Sequence, residues 1–127
     1  MEEKIREVMN TYADACYRGD LEKLKKCFHK SATMSGYLGD EFITGGPDGF
    51  FEDIAGHPSM ESTGTAYTYE IQQVLVSEKS AIAVLKEKGF FGECNFVDYM
   101  SFVLEDGEWK IICKVFETIL KNSIETW

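Results

Sequence analysis

Apolar residues near the start of the chain follow the period of a helix. Ile5, Val8, Met9, Tyr12 and Cys16 fall three or four residues apart, one apolar stripe on a mostly polar segment from about Glu2 to Arg18. Gly19 ends this helix, and Asp20 is placed as the N-cap of a second, shorter one. There Leu21, Leu24 and either Cys27 or Phe28 point inward, while Glu22, Lys23, Lys25 and Lys26 point outward. The period then shifts towards two over Ala32 to Leu38, a short strand closed by the turn signal Gly39-Asp40. Thr44 to Asp48 is a loop, and a third helix runs from about Pro47 to Ala55, with Gly56 at its end. Phe50, Phe51 and Ile54 supply its apolar side.

From Thr65 onward the pattern is that of strand after strand, at about 65–77, 80–90, 94–105 and 108–119. Glu78-Lys79, the Gly92-Glu93 region and Asp106-Gly107 separate them. Asp-Gly between two alternating apolar runs is a strong hairpin signal, so these four strands form an antiparallel meander. Both faces of the last two strands are apolar. Phe96, Met100, Phe102 and Leu104 share one face of the third long strand, and Val97, Tyr99 and Val103 the other. In the fourth, Trp109, Ile111, Cys113 and Val115 oppose Ile112 and Phe116. An antiparallel sheet normally keeps one face wet. Here three short helices cover one face, and a second copy of the same sheet is the simplest cover for the other, so a homodimer is expected.

The chain has 127 residues, 44% of them hydrophobic, which fits one α+β domain spanning 1–127 with a core of its own. Its formal charge is −9, and a surface this acidic repels phosphate backbones and anionic headgroups. Nucleic acid and membranes are therefore not expected partners. Cys16, Cys27, Cys94 and Cys113 show no C-x-x-C spacing and lie inside apolar patterns, as reduced, buried cysteines do. With a charged N-terminus in place of a signal peptide and no long apolar run, a cytoplasmic location is expected.

Several ordered pieces resemble one family. Tyr17-Arg18-Gly19-Asp20, Leu24 and Cys27-Phe28-His29-Lys30-Ser31-Ala32 are similar to the opening of the lumazine-binding or SnoaL-like branch of the nuclear transport factor 2-like superfamily. Thr44-Gly45-Gly46-Pro47, Phe96-Val97-Asp98-Tyr99, and Asp106 to Ile111 running into Lys114-Val115-Phe116 continue the resemblance in order. It implies a cone-shaped, curved antiparallel sheet wrapped around three helices, an apolar pocket open at one end, and dimerisation through the convex face. Relatives often carry histidine after the lysine and aromatic, where this chain has Glu117-Thr118-Ile119, a departure that speaks against a histidine mechanism or a metal. Function is not fixed by this fold.

On these grounds the pocket is expected to be lined by Tyr12, Phe28, Met34, Tyr69, Phe96, Met100 and Trp109, with Val97, Tyr99, Ile112 and Phe116 at the dimer interface. Asp98 alternates with Phe96 and Met100, which is costly for a carboxylate unless it is paired or functional. It is either a pocket base or the partner of a strand cation, with Lys86, Lys88 and Lys114 available. Glu87 and Glu117 pose the same question more weakly. His29, at the change from helix to strand, is either a general base or a satisfied structural residue. Tyr12, Tyr37, Tyr67, Tyr69 and Tyr99 offer hydroxyls to a ligand or to the protein itself. No nucleotide loop, metal motif or nucleophile elbow is present, so neither a metal nor another cofactor is expected. The leading expectation is a domain binding a small molecule. A cofactor-independent isomerase, dehydratase or cyclase using Asp98 or His29, and a protein adaptor, are the alternatives.

Overall fold

The N-terminal stripe becomes helix α1, Glu2–Arg18, with Ile5, Met9, Tyr12 and Cys16 buried along one side. Glu2 and Glu3 in its first turn and Arg18 in its last complement the helix dipole. Gly19 takes the left-handed conformation at φ 68°, and the Asp20 carboxylate accepts a 3.2 Å hydrogen bond from the Lys23 N–H to start α2, Leu21–Lys26. The rest of the described chain, which covers residues 1–119 in a computed structural model, adds β1 (Phe28–Leu38), β2 (Glu41–Gly45), α3 (Asp48–Ala55) and the single turn α4 (Met60–Thr63). Four long strands follow: β3 (Thr68–Val76), β4 (Ser80–Phe90), β5 (Cys94–Glu105) and β6 (Glu108–Ile119). The Asp106-Gly107 turn joins the last two, both residues at positive φ as its hairpin type requires. None of the described helices is long and apolar enough to cross a membrane.

The six strands form one curved, unclosed α+β sheet in the order β2-β1-β6-β5-β4-β3. Every pairing is antiparallel except β1 with β6, which run parallel, so the expected antiparallel meander of the four long strands holds and the one parallel seam lies where β1 joins it. β1 also starts earlier than its alternation suggests, because Phe28 pairs with Ile111 and the Ile111 N–H donates to the Cys27 carbonyl at 2.8 Å. β2 replaces the first part of the expected loop. Its five residues are all exposed and held only by β1, so no buried face gave it a pattern to read.

The core lies between the inner sheet face and the helices. Ala83, Leu85, Met100, Phe102, Trp109 and Ile111 pack there with Ile5, Met9, Leu24, Ile54 and Met60. One irregularity decides the rest of the inner face. Ser101 pairs with Cys113 and Phe102 with Ile111, which leaves Ile112 as an unpaired bulge residue. Alternation therefore changes phase at Ile112. Trp109 and Ile111 are buried before it, and Lys114 and Phe116 after it.

Candidate functional site

Between β1, β2, α3 and the inner face of β4 to β6 lies a cavity of about 600 Å³, within the range of small-molecule sites. Its walls are apolar, from Met34, Leu38, Ile43, Phe50, Phe90, Phe96 and Phe116. Three charged side chains share the inner wall: Glu87 from β4, Asp98 from β5 and Lys114 from β6. All three are buried. Asp48 and Asp53 of α3 line it as well but are exposed.

The buried polar groups form a chain. Tyr67 donates to Glu87 at 2.6 Å, and the Glu87 carboxyl meets that of Asp98. The Asp98 carboxylate lies 3.9 Å from the Lys114 ammonium, which donates to the Tyr12 hydroxyl at 2.6 Å and sits 4.1 Å above the centre of the Phe50 ring. Burial pushes Glu87 well above the usual carboxylate range, and the Asp98 charge pushes further in the same direction. Of the two touching carboxyls, Glu87 is thereby the one held towards its neutral form. Apart from a proton shared with Glu87, neither oxygen of Asp98 has a hydrogen-bond donor among the described residues. Tyr12 and Tyr67 are raised chiefly by burial and remain protonated.

Of the expected pocket residues, Met34 and Phe96 line the cavity. Tyr12 reaches it only through Lys114, and Phe28, Met100 and Trp109 belong to the packed core instead. Tyr69 is elsewhere. Its hydroxyl donates to Asn10 at 2.8 Å, and it shares a shallow groove with Lys86 and Lys88. Asp98 lines the cavity but His29 does not, so the two are not brought together. The His29 ring hydrogen-bonds Glu105 at 2.9 Å through Nε2 and accepts the Ser31 N–H at Nδ1, a satisfied structural arrangement. Phe116 faces the cavity, not the convex side, because of the bulge at Ile112. Val97 is buried in register between Lys86 and Glu117, and Ile112 is half-buried, so of the expected interface residues only Tyr99 is largely exposed. Glu87 alternates with Leu85 and Ala83, a signal that was available; Lys114 was hidden behind the phase change. Among the described residues, no three His, Cys, Asp or Glu side chains gather as a metal ion would need.

Residues 1–117 match the family described as "Putative lumazine-binding". The chain belongs to that family. Its fold is that of the nuclear transport factor 2-like superfamily. An NTF2-like protein of unknown function from Methylobacillus flagellatus superposes with a TM-score of 0.81 at 26% identity, covering 93% of this chain and 91% of its own. A ketosteroid isomerase-like protein from Erwinia carotovora atroseptica shares the fold at a TM-score of 0.68 and 16% identity, with 94% and 96% covered. Among curated proteins, the chain is similar to the aldolase FrzH of Cladobotryum sp, 23% identical over 107 residues, 84% of this chain and 82% of that protein.

Proposed function

We propose that the chain binds a small, largely apolar molecule in the cavity and receives its polar group at the Glu87, Asp98 and Lys114 end. One observation carries this reading: Asp98 is fully buried on the wall of an apolar cavity with no donor among the described residues to either oxygen except a shared Glu87 proton. An ion so placed is expensive, and a ligand that brings a donor offsets that cost. 2-Tetralone, 2-tetralol and 2-aminotetralin serve as probes in a thermal-shift titration. A ligand at a hundred times its dissociation constant adds about 2.7 kcal/mol to folding stability. Stabilisation by at least one probe, lost on filling the cavity with Met34→Trp, is the expected result. No shift from any of them removes the reading.

Proton transfer is the second reading, favoured by two buried carboxyls, Glu87 and Asp98, that meet beside the Lys114 ammonium, with burial holding Glu87 towards its neutral form. Asp98 takes a proton from a carbon next to a carbonyl as the C–H bond breaks, and Lys114 hydrogen-bonds the oxygen that receives the electron pair. The names of FrzH, an aldolase, and of the ketosteroid isomerase-like neighbour are consistent with such chemistry. Exchange of the 2-tetralone α-protons in D₂O, followed by NMR, tests it. Acceleration that Asp98→Asn abolishes supports this reading, and a rate equal to that of buffer ends it. We place the protein in the cytoplasm on the strength of its four free cysteines.

A further inference from the structure

The groups that line the cavity are unbalanced in charge. Among the described residues, Asp48, Asp53, Glu87 and Asp98 face it, against Lys114 alone. Asp53 is partly engaged by the His57 ring at 3.8 Å, but the two inner carboxyls have less support. Lys114 makes its short bond to Tyr12 and approaches Asp98 only to 3.9 Å, and among the described residues the donor to Glu87 is the Tyr67 hydroxyl. Two buried carboxyls thus share one ammonium. If both are ionised, the inner wall is one positive charge short.

We infer that the cavity takes an amine, a small molecule with a largely apolar body and a cationic nitrogen seated against Glu87 and Asp98. This rests on the small-molecule reading above but not on proton transfer. An ammonium brings up to three donors to a carboxylate whose own supply is the proton it shares with Glu87, and its charge balances the second carboxyl. An alcohol brings one donor and no charge. A carboxylate ligand meets four acids on its way in. The apolar walls and the rings of Phe50, Phe90 and Phe96 then hold the body of the molecule, as buried aromatic surface does.

Binding of a cation is also linked to a proton. The titratable groups that face Glu87 are Tyr12 and Cys16 from α1, Tyr67 ahead of β3, Asp98 from β5 and Lys114 from β6. The two phenols and the thiol are held protonated by burial, so Glu87 is the group that gives up a proton when a positive charge arrives. Affinity for the amine accordingly rises with pH from the ordinary glutamate range upward, until Glu87 is ionised without help.

The test is calorimetric titration of the full chain near neutral pH with 2-aminotetralin, 2-tetralol and tetralin-2-carboxylate, repeated in phosphate and in Tris. The amine binds about tenfold tighter than the alcohol or better, a difference of about 1.4 kcal/mol. The two buffers differ in apparent heat because protons, up to one per amine, are released. Asp98→Asn brings the amine-to-alcohol ratio towards one, and Glu87→Gln abolishes proton release. An alcohol that binds as well as the amine, or a carboxylate that outbinds both, overturns the inference and leaves the cavity a small-molecule site. No binding of any of the three by the folded chain overturns both. Proton release unchanged in Glu87→Gln removes Glu87 from the account.

Discussion

Tyr67 donates a 2.6 Å hydrogen bond to Glu87, whose carboxyl on its other side meets Asp98. The phenol, raised by burial, stays a donor, and the buried carboxyl keeps its proton far more tightly folded than unfolded. A group of this kind supports folding fully below the ordinary glutamate pKa, and its contribution erodes as pH rises above it, because the folded state binds more protons than the unfolded one.

Glu87→Gln keeps an acceptor for Tyr67 and a donor towards Asp98 without an ionisation to suppress. The variant is expected to match the parent below about pH 4 and to be increasingly more stable as pH rises above that. Urea unfolding across this range reads the difference directly. Parallel pH profiles for the two proteins count against a neutral Glu87.

Lys114 and Asp98 form the second buried pair, and their separation matters less than the consequence of splitting them. Lys114→Met leaves a buried carboxylate without its cation and costs about 3–5 kcal/mol in unfolding free energy. Adding Asp98→Asn to that variant recovers a substantial part, since the uncompensated charge is then gone. Equal stability of the single and double variants at neutral pH means that the pair is not electrostatically coupled.

How much of this was legible follows from where alternation is continuous. Asp98 with Phe96 and Met100, and Glu87 with Leu85 and Ala83, keep one phase along their strands, so an inward carboxyl is visible in each from the sequence. Lys114 and Phe116 lie beyond the bulge at Ile112, and one extra residue reverses every side chain after it. Unbroken alternation accordingly points Phe116 to an interface and leaves Lys114 as one of three candidate cations. α1, α2 and the final hairpin carry strong local signals in their stripe, caps and Asp-Gly turn, and the structure has each where those signals lie. β2, five exposed residues long, has no local signature, and the wall it adds to the cavity was invisible.

The outer face of the sheet carries an apolar patch. Tyr99 and Val115 are paired in register, the tilted rings of Tyr37 and Phe42 lie 5.5 Å apart, and all four are exposed. We propose that a second copy covers them, as the two-faced strands led us to expect. Sedimentation at micromolar concentration then gives a dimer, and Tyr99→Arg, which buries a charge at the seam, gives a monomer that remains folded by circular dichroism. A monomeric parent protein rules the dimer out.

Gly36 fixes how closely β1 approaches β6. It pairs with Phe116 across the parallel seam, and a Cβ there would lie 2.0 Å from the Phe116 carbonyl oxygen and 2.7 Å from its ring. No rotamer relieves a clash with backbone, so Gly36→Ala must separate the two strands. β1 carries Met34 and Leu38, and β6 carries Lys114 and Phe116, so the same displacement opens the cavity wall. A loss of about 3 kcal/mol or more in urea unfolding is expected, as for other overpacked sites. Gly49 provides the contrast. It lies in α3 with nothing within 4 Å of its would-be Cβ, so Gly49→Ala is expected to raise stability by about 0.5–1 kcal/mol through helix propensity alone. Equal effects of the two substitutions would mean that the β1 to β6 seam has slack, and the tight register that sets the cavity wall would have to be abandoned.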